Sequence, residues 1–395
     1  MIILCLTAIG QRNVLFVGNS LTFYNDMPTM FENLANTKGQ NVVVTQYTIG
    51  GAGLHDMQSN ADLLNLFNQP WDFVILQPGT SESGGMGVGV DSLTAIVKTM
   101  RRRIWNVSPC AKICLFEISN GIYFQDNTPM WDYYFTTQPL IRNVIHKVAE
   151  AAKLPYAPVG ECFVAYYQGR NDLQLHNDFN DVHPNTNGSY LTTLVMYNTL
   201  FEESNICSYY GNTEEGLAKI LQHISDSVVL NHKDLWLLDE FKTNVDFSYA
   251  IHNDVVRFVN LSTNYETIEW NINDEFTSYD NEFDYQFSSA GEKFAAVNID
   301  NHGCKYNLTK EFEITKNNSI DEKEFCNDII FTNNSIVVNT TGRKEIYFRV
   351  SNMLGQIVKQ GKTNNNVIDI CDIARDTYII TFIVDNKQYC YRFIK

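Results

Sequence analysis

Residues 13–22 read NVLFVGNSLT: the apolar run Asn13-Val-Leu-Phe-Val17 stops at Gly18, and Asn19 and Ser20 stand where a packed strand would continue. A continuous apolar run ended by glycine reads as a strand buried on both faces, which occurs in parallel sheets covered by helices. The next segments fit that frame. Further strand candidates lie at 41–49, 71–77 and 112–118, with a fifth near 155–159. Between them run helical spacings: Met27, Phe31 and Leu34; Leu54, Met57, Leu64 and Phe67; Leu93, Ile96, Val97 and Met100; Leu140, Val144, Ile145 and Val148. The alternation predicts an α/β fold, a three-layer α/β/α sandwich around a parallel sheet, over residues 13–235.

The chain has 395 residues, more than one ordinary domain needs. Helical periodicity fades after Leu230. From Val255 to Leu308 short aromatic strands alternate with Asn/Asp/Ser turns, which predicts a β-sandwich over 250–315. The polar stretch Lys316 to Asp328 reads as a linker, and 329–395 forms a last β-rich unit.

A formal net charge of −16 opposes any polyanion, so nucleic acid is not an expected partner. The nine cysteines are scattered without metal-ligand spacing, so neither a metal nor another cofactor site can be read. Cys304 and Cys326, close in sequence, are the expected bridge. Residues 1–12 begin MIILCLTAIG, similar to the apolar core and cleavage end of a secretory signal that lacks its basic start; the alternative is a short buried strand. No later run approaches the length of a transmembrane segment.

In an open parallel sheet, side chains just beyond the strand ends face the ligand crevice, and Ser20 has that place after the first strand. A serine needs a base. His183, in NDVHPNTNGSYL (180–191), precedes Pro184 and the capping residues Asn185 to Asn187 of a helix start, and so sits on a rigid turn. His55 and Asp56 read as helix-start capping residues, and Gly84 to Gly89 as a loop rather than a phosphate cradle.

Gly18-Asn19-Ser20-Leu21-Thr22, Gly50-Gly51, Gln77 and Asp181-Val182-His183-Pro184, in that order, resemble the four blocks of the SGNH (GDSL-type) hydrolases. The resemblance implies a serine esterase hydrolysing small acyl esters, with acetyl groups on polysaccharide as the expected substrate. Ser20 would be the nucleophile and His183 the general base. The backbone N–H groups of Ser20 and Gly51 would line the oxyanion hole. Its third donor is asparagine in the family pattern; here it would be Gln77, with Asn120 as the lesser candidate. The acid normally precedes the histidine by three residues, where this chain has Asn180; Asp181 is the expected acid, the alternative being a Ser-His dyad oriented by Asn180 or a backbone carbonyl. That departure also leaves open a decayed site in a surface carbohydrate-binding or adhesion protein.

Phe258-Val-Asn-Leu-Ser262, Ile268-Glu-Trp270 and Tyr285-Gln-Phe287 resemble a PKD-type immunoglobulin-like domain, though the turn after the tryptophan departs from it. The segment VSNMLGQIVKQG with the terminus Tyr391-Arg-Phe-Ile-Lys395 resembles the C-terminal sorting domain of the type 9 secretion system of Bacteroidota. That resemblance implies export through the type 9 secretion machinery to the outer cell surface or the medium.

Overall fold

The structure is a computed structural model that describes residues 10–315, 328–332, 334–339, 346–363, 366–384 and 387–395. Five strands, Arg12–Gly18, Val42–Thr48, Phe73–Leu76, Lys112–Glu117 and Tyr156–Pro158, form one parallel sheet in the order second, first, third, fourth, fifth. Val14 to Val17 are fully buried in succession, as a strand covered on both faces must be. Val14 pairs with Val44 on one side and Phe73 on the other.

Helix Val159–Tyr167 packs against Trp131–Ala152, Thr186–Phe201 and Glu215–Leu230. Thr186–Phe201 packs against Met27–Thr37 and Glu215–Leu230, whereas Val90–Val107 packs against Trp131–Ala152. Thr186–Phe201 is buried on all sides from Gly188 to Leu200, which suits a helix wedged between others. A Cβ on Gly188 would come 2.0 Å from the Leu175 carbonyl oxygen, so only glycine lets that helix seat. This is the expected α/β sheet. Its order reverses beside the first strand, and the crevice at such a switch point, beyond Gly18, is where ligands enter such sheets.

Residues 247–314 form two antiparallel sheets. One holds Thr267–Ile272, Phe276–Ser278, Gly291–Asn301 and Cys304–Ile314; the other holds Phe247–His252, Val255–Asn260 and Glu282–Gln286. Trp270 is fully buried between them, 5.1 Å from the Phe247 ring and 5.4 Å from that of Phe283. This sandwich shares one compact unit with the α/β domain, residues 1–316. Asn264 Nδ2 donates to the carbonyls of Asp239 and Lys242, and His302 stacks on Trp105 at 4.1 Å.

The bridge joins Cys110 to Cys304 rather than Cys304 to Cys326. The turn Asn301–Cys304 lies on the loop that follows helix Val90–Val107, so that a Cβ on Gly303 would sit 3.2 Å from Pro109. Nearness in space overrides nearness in sequence. Cys326 lies outside the described residues, as do the expected signal remnant up to residue 9 and the linker residues 316–327.

The second unit, residues 317–395, contains an antiparallel sheet of Asp328–Phe331, Ser335–Asn339 and Val367–Asp369. Another comprises Ile346–Asn352, Ile357–Thr363, Thr377–Val384 and Lys387–Ile394, around a core that includes Ile336, Val350, Ile380 and Phe382. Among the described residues no helix is long and apolar enough to cross a membrane.

Candidate active site

Gly18 ends the first strand because nothing larger fits: a Cβ there would lie 2.4 Å from Thr22 Oγ1 and 2.5 Å from Gln77 Oε1. Asn19, 3% exposed, then organises the turn. Its backbone N–H donates to Gln77 Oε1 at 2.8 Å, and its Oδ1 accepts from Leu21 N at 3.0 Å, capping the short helix Ser20–Phe23. Its Nδ2 donates to the Ala52 carbonyl at 2.9 Å, tying that helix to the loop after the second strand. Ser20 is therefore the first helical residue, where a backbone N–H has no intrahelical acceptor and points outward.

The Ser20 hydroxyl lies 2.8 Å from His183 Nε2, and His183 Nδ1 lies 2.5 Å from Asp181 Oδ1. A carboxylate only accepts, so the ring proton sits on Nδ1 and leaves Nε2 free to accept from the serine. The two-residue spacing closes because Asp181 Oδ1 also accepts the backbone N–H of His183 at 3.1 Å, an Asx-type turn that folds the carboxylate back under its own histidine. Burial pushes the Asp181 carboxyl up, but hydrogen bonds from the backbone and ring of His183 and from Asn177 outweigh it and hold it below the ordinary carboxylate range. Asn180, left-handed at φ 60°, faces elsewhere: its N–H donates to the Ile122 carbonyl at 2.8 Å and its Oδ1 accepts Phe124 N at 2.7 Å. A hydroxyl bonded to an imidazole whose far nitrogen is held by a carboxylate is the arrangement that activates a serine.

Gln77 does not present its amide to this line. It is fully buried, its Oε1 accepts from Asn19 N and Thr22 Oγ1, and its Nε2 donates to the Pro78 carbonyl at 2.5 Å. Turning the amide over would set its NH₂ against the Asn19 N–H, so the orientation is fixed by that donor. Through these bonds Gln77 supports the serine turn. Asn120 is engaged too, with its Nδ2 donating to Thr137 Oγ1 at 2.9 Å. Gly51, at φ +74°, takes a conformation that favours glycine, and its N–H has no acceptor among the described residues.

Three residues escaped the sequence reading. Glu82, 1% exposed, accepts the backbone N–H groups of Leu54 and His55 at 2.9 Å and of Gly79 at 2.7 Å, and its Oε1 lies 3.0 Å from His55 Nδ1. It thus holds the end of the loop that carries Gly51, while Asp56 caps Gly53 N as expected. His176, buried, donates from Nε2 to the Asn120 carbonyl at 2.8 Å, and its Nδ1 accepts from the Tyr167 hydroxyl at 2.8 Å. Burial pushes its imidazole down to about 4. Tyr24 stacks on His183, with ring centroids 4.1 Å apart and planes within 17°. No motif marks these three, because each acts through a partner distant in sequence.

No known protein family profile matches the chain, and no curated protein matches it. Among solved structures it is similar to a DUF4886 family protein from Bacteroides uniformis, at 15% identity over 57% of this chain and 96% of that one, with a TM-score of 0.47. It is also similar to an acetyl xylan esterase from Geobacillus stearothermophilus, at 16% identity over 50% and 98% of the two chains, TM-score 0.40. A third similarity is to the PKD1 domain of Vibrio anguillarum Epp, at 14% identity over 19% of this chain and 95% of that domain, TM-score 0.18.

Proposed function

We propose that this protein is a serine ester hydrolase acting on small acyl esters, acetyl groups on polysaccharide in particular, and that it works outside the cell. The observation that carries the reading is the hydrogen-bonded line Ser20–His183–Asp181 at the switch point of the sheet. Ser20 Oγ attacks the ester carbonyl carbon while its proton passes to His183 Nε2. The resulting oxyanion meets the outward N–H groups of Ser20 and Gly51. Collapse breaks the acyl–oxygen bond, and His183 returns the proton to the leaving alcohol. Water, deprotonated by the same nitrogen, then releases the acid and restores the serine. Asp181 stays ionised throughout and stabilises the transient imidazolium, a task its lowered proton affinity suits.

The sugar-borne acetyl group and the extracellular site of action rest on the resemblances of the chain's later segments to a PKD-type module and to a sorting domain that engages the type 9 secretion machinery. Purified protein assayed on p-nitrophenyl acetate and on acetylated xylan tests the reading. Wild type should hydrolyse both, and Ser20→Ala should lose at least about 10⁴-fold in kcat. Equal, background-level rates for the two proteins would remove the esterase reading, and activity on the small ester alone would remove the polysaccharide.

A further inference from the structure

Residues Tyr24, Asn25 and Asp26 link the serine helix Ser20–Phe23 to helix Met27–Thr37. Asn25 and Asp26 both lie at φ +55°, two consecutive non-glycine residues in the left-handed region. Such a conformation persists only where surrounding contacts determine it, and it gathers at functional sites. Asp26 is held within its own helix, its Oδ1 accepting from Thr29 Oγ1 at 3.0 Å, whereas the side-chain contacts of Asn25 cross to the segment carrying the histidine. Asn25 Nδ2 donates to the Pro184 carbonyl and to Ser189 Oγ, each at 2.9 Å, and the Ser189 hydroxyl donates to the Tyr24 carbonyl at 3.2 Å. The outcome of this strap is the parallel stack of Tyr24 on His183. The Tyr24 hydroxyl makes no hydrogen bond among the described residues, so the ring face is what the structure uses.

We infer that Tyr24 is a positioning residue for His183. Its face keeps the imidazole in the plane joining Ser20 Oγ to Asp181 Oδ1, and it favours the imidazolium over the neutral ring. An aromatic face carries negative charge density, which attracts a cation within about 6 Å more strongly than a neutral ring. When the Ser20 O–H bond breaks and the proton joins Nε2, the stack becomes a cation–π contact. An interaction strengthened only in that state raises kcat and leaves substrate binding alone. The strap therefore ties the nucleophile's own helix to the proton acceptor.

The inference rests on the serine hydrolase reading, and one set of kinetics separates the two. kcat and KM for p-nitrophenyl acetate are measured for wild type, Tyr24→Phe, Tyr24→Leu and Asn25→Gly. Tyr24→Phe keeps the face and should stay within about 3-fold of wild type, whereas Tyr24→Leu should lower kcat about 10-fold with KM within about 2-fold. Asn25→Gly keeps the left-handed backbone but removes both amide bonds to the histidine segment, and should lower kcat about 3-fold at unchanged KM. If Tyr24→Leu does not fold, Asn25→Gly decides the matter. Wild-type kcat in Tyr24→Leu, a loss in Tyr24→Phe as large as in Tyr24→Leu, a change confined to KM, or an unaffected Asn25→Gly overturns the role of Tyr24 while the esterase stands. A wild type no faster than Ser20→Ala overturns the esterase reading and this inference with it.

Discussion

His176 turns the buried polar network behind the site into a pH-dependent stability. In the folded chain its imidazole is pushed down to about 4 by burial, against an ordinary value of 6.5. Both ring nitrogens are already engaged, Nε2 donating to Asn120 and Nδ1 accepting from Tyr167, so a second ring proton would break the bond from Tyr167. The unfolded chain, in contrast, takes up that proton as pH falls below about 6.5. The unfolded state then binds more protons than the native one, and stability falls with falling pH. At 1.36 kcal/mol per tenfold, the contribution is complete above about pH 6.5, reduced by about 2 kcal/mol at pH 5 and by about 3 kcal/mol at pH 4. Urea denaturation of wild type and His176→Gln between pH 7.5 and 4.5 isolates it, because every other titrating group is common to both proteins. Wild type should be the more stable at neutral pH, and the gap should narrow by about 2 kcal/mol by pH 5. A gap that stays constant across that range would refute the buried neutral histidine.

Asp181→Asn should lower kcat by about 10⁴-fold, because it removes the charge opposite the imidazolium, while Asn180→Gly should change kcat less than about tenfold; steady-state kinetics of the pair decide which residue serves His183. Gly18→Ala should destabilise the chain by about 1–3 kcal/mol in thermal or urea unfolding, since its methyl would enter the space of Thr22 and Gln77. Reducing the Cys110–Cys304 bridge, or replacing Cys304 with serine, should lower stability by about 2–4 kcal/mol, read as a Tm that falls in reductant for wild type but not for the variant.

The sheet was legible because burial on both faces writes itself into sequence. Val14 to Val17, Phe73 to Leu76 and Ile113 to Phe116 are unbroken apolar runs, and the breaks at Gly18, Gln77 and Glu117 mark the strand ends where loops take over. Ser20 and His183 were legible from position, one just past a strand and the other before a proline and a capping asparagine. The partner of His183 was legible only in outline: the choice between Asp181 and Asn180 turns on a backbone N–H folding the carboxylate back, which side-chain spacing does not encode. The place of Gln77 at the third strand end was legible, but its support of the serine turn was not, because its oxygen accepts the Asn19 N–H, a partner distant in sequence. The bridge from Cys110 to Cys304 spans 194 residues and depends on how the sandwich docks on the α/β domain, information carried by two surfaces rather than by any local pattern. Tyr24 and Glu82 act at positions fixed only once the strand-end loops are brought together.

Activation of Ser20 as a nucleophile by His183 is measured by covalent labelling. Wild type, His183→Ala and Ser20→Ala are incubated with phenylmethanesulfonyl fluoride, and the intact proteins and their peptides are weighed by mass spectrometry. The wild-type chain should gain one sulfonyl group, located on the peptide containing Ser20, with labelling abolished in Ser20→Ala and slowed at least about 10³-fold in His183→Ala. A wild type that takes up no label, or takes it up at another residue or at a rate indifferent to His183, would contradict that activation.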